Sequence, residues 1–159
     1  MAWQKNNVEN LSSSNATIDV TSLTDQKFMF VLCHSVGISA GANTGTQLNG
    51  VTTSTYASRL SNAGGADVTN TSFVSMQAGA TATTPYFQVG YLINISTEEK
   101  LLISNLIATS AAGSGNVPFR NETVGKHAQT TNPVSSYQWI TTTAATFDAD
   151  SEVVVLSSD

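Results

Sequence analysis

Two histidines, one cysteine and a large stock of serines are the residues of this chain best equipped for chemistry. His34 or His127, joined by a Ser and an Asp, would make a hydrolase triad in which the imidazole takes the serine proton and the carboxylate orients the ring. Serine is so frequent here that such a set can be drawn by chance, and the reading is set aside. His34 falls in an apolar run, where a hydrogen-bonded core or interface histidine is the common case. His127 falls in a polar stretch beside Lys126 and Glu122, the setting of a solvated side chain. Two His and one Cys, far apart, match no zinc spacing. Cys33 has no partner for a disulfide and reads as a small buried hydrophobe. The string FDADSE at 147–152 brings together Asp148, Asp150 and Glu152, but it lacks the alternating ligands and the glycine of a calcium loop, so a plain turn is expected. Gly113, Ser114 and Gly115 do not spell a phosphate loop and read as a flexible connection. The six cations Lys5, Lys27, Arg59, Lys100, Arg120 and Lys126 are scattered through a chain of net charge −5, without the clustering that phosphate contacts need. The residues therefore point to no catalytic, cofactor-binding or metal site, and to neither an enzyme nor a nucleic-acid binder.

The elements that would position these residues centre on 86–108, YFQVGYLINISTEEKLLISNLIA, the most apolar part of the sequence. In its first half Phe87, Val89, Tyr91, Ile93 and Ile95 share one parity, and Gln88, Gly90 and Asn94 the other, the period of a half-buried strand. The apolar face must find a partner. In its second half Leu102, Leu106, Ile103 and Ile107 also fit helical spacing, and Ser96 with Glu99 imitates a capping box. Strand and helix both stay open over 97–110, and a hairpin with a charged turn is the preferred reading. The run 28–36, FMFVLCHSV, is apolar on both parities and reads as a central strand. Further strands are expected in 16–23, 52–60, 69–76, 136–147 and 152–156. Between them, 37–51, 61–67, 79–85 and 110–120 are loops by their Gly, Ser, Asn and Pro content.

This rhythm predicts an all-β fold, an antiparallel two-sheet sandwich of jelly-roll type with about eight strands. At 159 residues the chain suits one domain at 16–159, preceded by a polar N-terminal arm at 1–15 that is mobile or docks on a neighbour. The expected core is Phe28, Phe30, Leu32, Val89, Tyr91, Ile93, Leu102, Leu106, Val153 and Val155. Charged residues are only 11% of the chain, against about 25% in ordinary soluble proteins, and small polar residues replace them. Such a surface suits a subunit covered by its neighbours. The N-terminal segment lacks the apolar core of a signal peptide, and no uninterrupted apolar stretch is long enough to span a bilayer, so no membrane association is expected.

The strings SLTDQKFMFVLCH at 22–34, LNGVTTSTYASRLSNAGGAD at 48–67, YLINISTEEKLLI at 91–103, NVPFRNETVGKHA at 116–128 and FDADSEVVVLSSD at 147–159 resemble a group of β-rich virion structural proteins from tailed viruses of marine microbes. The chain departs from that pattern in two segments: Ala occupies position 149 and Asp150 stands where a glycine is expected, and His127 stands where an aromatic is more usual. The resemblance implies a jelly-roll-like capsid decoration or tail-associated subunit, found in the virion and made in the host cytoplasm. Its partners would be the major capsid or tail protein and itself, since a sandwich with few Lys or Pro to blunt its sheet edges is best covered by symmetric neighbours in a closed ring, a trimer being favoured. The alternative is a tail or fibre module that binds a receptor carbohydrate on exposed aromatics such as Trp3, Tyr56 or Trp139.

Overall fold

The computed structural model describes residues 2–39, 42–77, 84–109 and 113–159; the expected loops at 79–85 and 110–120 lie partly outside these. Among the described residues there are twelve strands and no helix. They are β1 (Gln4–Asn10), β2 (Thr17–Val20), β3 (Phe28–Ser35), β4 (Thr44–Leu48), β5 (Tyr56–Asn62), β6 (Val68–Asn70), β7 (Ser75–Gln77), β8 (Tyr86–Ile93), β9 (Lys100–Ala108), β10 (Phe119–His127), β11 (Tyr137–Thr141) and β12 (Glu152–Ser158). All pairings are antiparallel. One sheet has the order β1-β12-β3-β8-β9-β10-β5-β6 and the other the order β2-β11-β4-β7.

The expected jelly roll is present. β1-β12-β3-β8 and β2-β11-β4-β7 are the two four-stranded sheets made when one long hairpin, first strand with last and second with next to last, rolls up on itself. The remaining strands are two additions to that plan. β5 and β6 sit between β4 and β7 in sequence, β9 and β10 between β8 and β11, and all four widen the first sheet.

The hairpin at 86–108 is β8 and β9, in register from Tyr86 opposite Ala108 to Ile93 opposite Leu101. Helical spacing in its second half was a by-product of two apolar parities. β9 alternates strictly, with Leu102, Ser104 and Leu106 inside and Leu101, Ile103 and Ile107 outside. Steric demand also shows at Gly125 on β10, whose α-carbon lies so close to the Val74 carbonyl that a methyl group there would overlap it.

Residues 4–10 correct the expected arm. Their polar side chains hide an edge strand, because a strand needs only backbone groups to pair, and β1 pairs with β12 from Gln4 opposite Ser157 to Asn10 opposite Glu152. Asn6 and Asn7 pin it further, accepting from the Thr24 amide at 2.8 Å and donating to the Thr21 carbonyl at 2.8 Å respectively. Leu11 follows, buried.

The core corrects the expected list at six of its ten residues. Leu102, Leu106, Val153 and Val155 are buried as expected, together with Met29, Val31, Cys33, Tyr137, Trp139 and Phe147. Phe28, Phe30, Leu32, Val89 and Ile93 are only half-buried, and Tyr91 is 56% exposed. These six belong to the opposite parity, on the side of the large sheet that faces away from the small one. Their strands bury their less apolar parity: β8 turns Tyr86, Gln88, Gly90 and Leu92 inward.

Candidate functional site

The residues singled out for chemistry do not come together. His34 is exposed on β3, in register between Glu152 and Phe87. His127, expected to be solvated, is buried: its ring stacks on Tyr56 at 4.5 Å and its Nε2 lies 3.1 Å from Thr55 Oγ1. Burial, with the nearby Lys100 charge, lowers its pKa, so the ring is neutral at pH 7. Asp148, Asp150 and Glu152 form a turn in which Asp150 takes φ 65° and its amide donates to the Leu11 carbonyl. Among the described residues no group of three or more His, Cys, Asp or Glu is arranged to hold a metal. The Gly113 turn is closed by the Asn116 amide.

One motif that the sequence reading passes over is a G-x-S-x-G, Gly37-Ile38-Ser39-Ala40-Gly41. A nucleophile elbow needs a strand, a tight turn and a helix that leave the serine bare above the sheet. Here Ile38 is buried and bridged to Phe147, and Ser39 Oγ accepts from the Thr146 amide at 2.9 Å. Gly37, Ile38 and Ser39 are thus held by structural contacts, and Ala40 and Gly41 lie outside the described residues.

Lys100 is the functional-looking group whose role sequence reasoning missed. It is fully buried, and its ammonium donates to the carbonyls of Ile95 and Glu98, both at 2.6 Å, and of Gln129 at 3.2 Å. Desolvation lowers its pKa, while Asp25 and Glu98 act to raise it. It ties the β8–β9 turn to the loop after β10. Its parity with Leu102, Ser104 and Leu106 was the signal that it points inward. A second polar centre surrounds the Tyr137 hydroxyl, 2.9 Å from Thr46 Oγ1, 3.4 Å from Gln88 Nε2 and 3.8 Å from Cys33 Sγ. Both centres are enclosed and act on the fold.

Of the aromatics expected to offer a sugar platform, Tyr56 and Trp139 are core residues, and Trp3 alone is exposed, at 45%. Tyr56 spends its hydroxyl on the Leu48 and Val51 main chain. Trp139 packs on Phe147 with ring centroids 4.6 Å apart.

What the surface does offer is the outer face of the large sheet. The registers lay its outward side chains in rows across the strands. One row runs Lys5, Leu156, Phe30, Tyr91, Ile103, Val124, Arg59. The next row on one side runs Val8, Val154, Leu32, Val89, Asn105, Glu122, and on the other Phe28, Ile93, Leu101, Lys126. A fourth runs Glu152, His34, Phe87, Ile107, Arg120. Every row is apolar in the middle, with charges at both ends of the first and fourth rows and at the β10 end of the other two. Phe30 stacks on Tyr91 at 4.7 Å and meets the edge of Trp3 at 6.0 Å. Beside them a groove of about 580 Å³ is lined by Trp3, Phe28, Tyr91, Leu101, Ile103 and Val124, among others. Three of the cations at the margin are already paired within the chain: Arg59 with Asp67 at 2.9 Å, Lys126 with Glu99 at 2.8 Å, and Arg120 with Glu122 at 3.8 Å.

No protein-family model matches the chain, and no curated protein matches its sequence. Among solved structures, the CBM2 module of the evolved Dit of Lactobacillus casei BL23 phage J-1 is similar at 10% identity and a TM-score of 0.16, over 94% of this chain and 74% of that one. The Emp47p carbohydrate recognition domain is similar at 7% identity and a TM-score of 0.17, over 99% and 89%. The Chromobacterium violaceum lectin CV2L stands at 5% and 0.12, over 70% and 95%. Likenesses this distant carry no argument about function.

Proposed function

We propose that this chain is a virion structural subunit, a capsid decoration or cement protein that works by association with its own copies and by docking on coat protein, and not by catalysis. The observation that carries this reading is the apolar outer face of the large sheet. A β-sandwich that lives alone keeps that face polar, and monomers rarely expose a continuous apolar patch beyond a few hundred Å². This chain instead places Tyr91, Leu101, Ile103, Ile107, Phe87 and Val124 there, each between 42% and 59% exposed. The low content of charge and the resemblance of several strings to virion proteins of marine tailed viruses support the same reading. Mass spectrometry of purified particles tests it: the chain should be present in fixed proportion to the coat protein, and its absence from washed particles would overturn the assignment.

A receptor- or carbohydrate-binding module on a tail or fibre is the second reading, favoured by one observation, the exposed Trp3 and Tyr91 rings beside the groove. Sugar recognition needs polar groups beside the rings to bind hydroxyls, and the groove walls are nearly all apolar. A glycan array separates the two readings, since binding abolished by Tyr91→Ala would favour the second.

A further inference from the structure

We infer that a second copy of this chain covers the outer face of the large sheet, the two faces stacking as a pair across strands β3, β8 and β9. The inference deepens the proposed assembly role and rests on it only for its biological setting.

Area is the first argument. Seven large side chains on this face, Trp3, Phe87, Tyr91, Leu101, Ile103, Ile107 and Val124, are each about half exposed. At about 150–250 Å² for each aromatic and about 60–120 Å² for each aliphatic side chain they present roughly 350–600 Å² of apolar surface, which matches the apolar share of the about 800 Å² that each partner contributes to a standard interface. Half-buried Phe28, Phe30, Leu32, Val89, Ile93, Val154 and Leu156 fill the spaces between them. The patch has the anatomy of an interface, an apolar centre rich in aromatics inside a polar rim.

Charge selects the occupant. The rim cations Arg59, Arg120 and Lys126 are each matched by an acid of the same chain. Lys5 and Glu152, at the β1–β12 margin, are one of each sign, so the face has no strong field to attract an acidic partner and two identical faces meet without net repulsion. Packing geometry agrees, because two twisted sheets stack face to face about 10 Å apart with their strands inclined by roughly 30°. A self-complementary patch closes as a pair, whereas a trimer would divide it between two different contacts.

The edges, which would drive a ring by strand addition, are already protected. β6 and β7 have three residues each and β2 four. β1 carries Lys5 and a register shift between Lys5 and Asn7. Short, bulged and charged edges resist pairing with another chain.

Sedimentation velocity on the full chain, with Ile103→Lys and Tyr91→Lys as variants, tests the pairing. Both side chains are more than half exposed, so the variants should keep the wild-type circular dichroism. The wild type should sediment as a dimer at micromolar concentration, and each variant should weaken dimerisation at least 100-fold. A wild-type monomer at 100 µM, a dimer untouched by both variants, or a trimer would each overturn the inference. So would a monomer that binds neutral phosphatidylcholine vesicles or a glycan through this face. Particle composition is read separately. A dimer absent from virions would sink the assembly role and leave the pairing, and a monomer present in virions would do the reverse.

Discussion

The alkaline limb of the stability curve should be governed by one thiol. Cys33 lies wholly buried between the sheets, and burial pushes its pKa from 9.0 to about 12, with the hydrogen bond from Tyr137 only partly offsetting the shift. The unfolded chain releases this proton near 9.0 while the native chain holds it to about 12. The native state then binds more protons across that window. Its stability is intact below the unfolded value and is lost as pH rises toward the folded one, at about 1.4 kcal/mol per pH unit. Between about pH 8 and about pH 10 the thiol alone should remove about 1.4 kcal/mol. Urea titrations followed by tryptophan fluorescence, in which buried Trp139 reports, give the slope directly. Cys33→Ala provides the comparison: its baseline falls through the lost volume, but its stability should decline less over the same window by about 1.4 kcal/mol. Tyr56 and Tyr137, raised by burial, act in the same direction at higher pH, and Lys100, lowered by burial, acts in the opposite one. Tyr56 and Lys100 are common to both proteins and drop out of the difference; Tyr137 owes part of its shift to Cys33, but burial is the larger cause and persists in the variant, so below about pH 10 it stays protonated in both native proteins. Both must be compared at one protein concentration, since self-association adds its own stability. Coincident slopes would mean that the thiol ionises freely in the native state, and would refute the closed packing of β3 against β11.

Two substitutions probe the joints between elements. Gly125→Ala should destabilise by at least about 1–3 kcal/mol in chemical denaturation, because the added methyl meets the Val74 main chain and only a backbone shift relieves it. Asn49→Ala should cost about 2–4 kcal/mol: the residue sits at φ 55°, and its side chain accepts from the Ser135 and Ser136 amides at 2.7 and 3.1 Å and donates to the Pro133 carbonyl at 2.9 Å. Asn49→Asp, which keeps the acceptor, should lose less than Asn49→Ala in the same titration.

The strands were legible wherever a run was long and apolar: 28–36, 86–108 and 152–156 were read from period and β-branched content alone. The two-sheet jelly roll followed from their spacing. What could not be read was which parity faces in. On β3 both parities are apolar, so Phe28, Phe30 and Leu32 looked as fit for the core as Met29, Val31 and Cys33. On β8 the outward set, Phe87, Val89, Tyr91 and Ile93, is the more apolar, and a rule that buries the greasier face chooses wrongly. The interior accepts Gln88, Ser104 and Thr46 because each finds a polar partner across the sheets: Gln88 and Thr46 at the Tyr137 hydroxyl, Ser104 at Ser75 Oγ, 2.7 Å away. β1 was missed for a related reason. Its pairing uses main-chain groups, and its side chains carry no apolar period for a sequence reading to detect.

The inverted parity is the part of the sequence that speaks to function. Hydrophobic residues on the outside of a sheet lose nothing in the isolated fold only if the inside is already full, and here it is, with Trp139, Tyr137, Phe147 and Lys100 all wholly buried. A chain under no demand beyond folding would place Ser, Thr or Lys at 91, 101, 103 and 107. Asn105 and Glu122 show that polar residues are accommodated on this very face. The aromatic and branched side chains around them therefore answer a second requirement, one met only when water is removed from the face. Edge protection makes the direction of assembly specific. With β1, β2, β6 and β7 blunted, the surface left to associate is the one that runs through β3, β8 and β9. In the proposed pairing, the strands that form the middle of the fold serve two cores, one within the chain and one completed between chains.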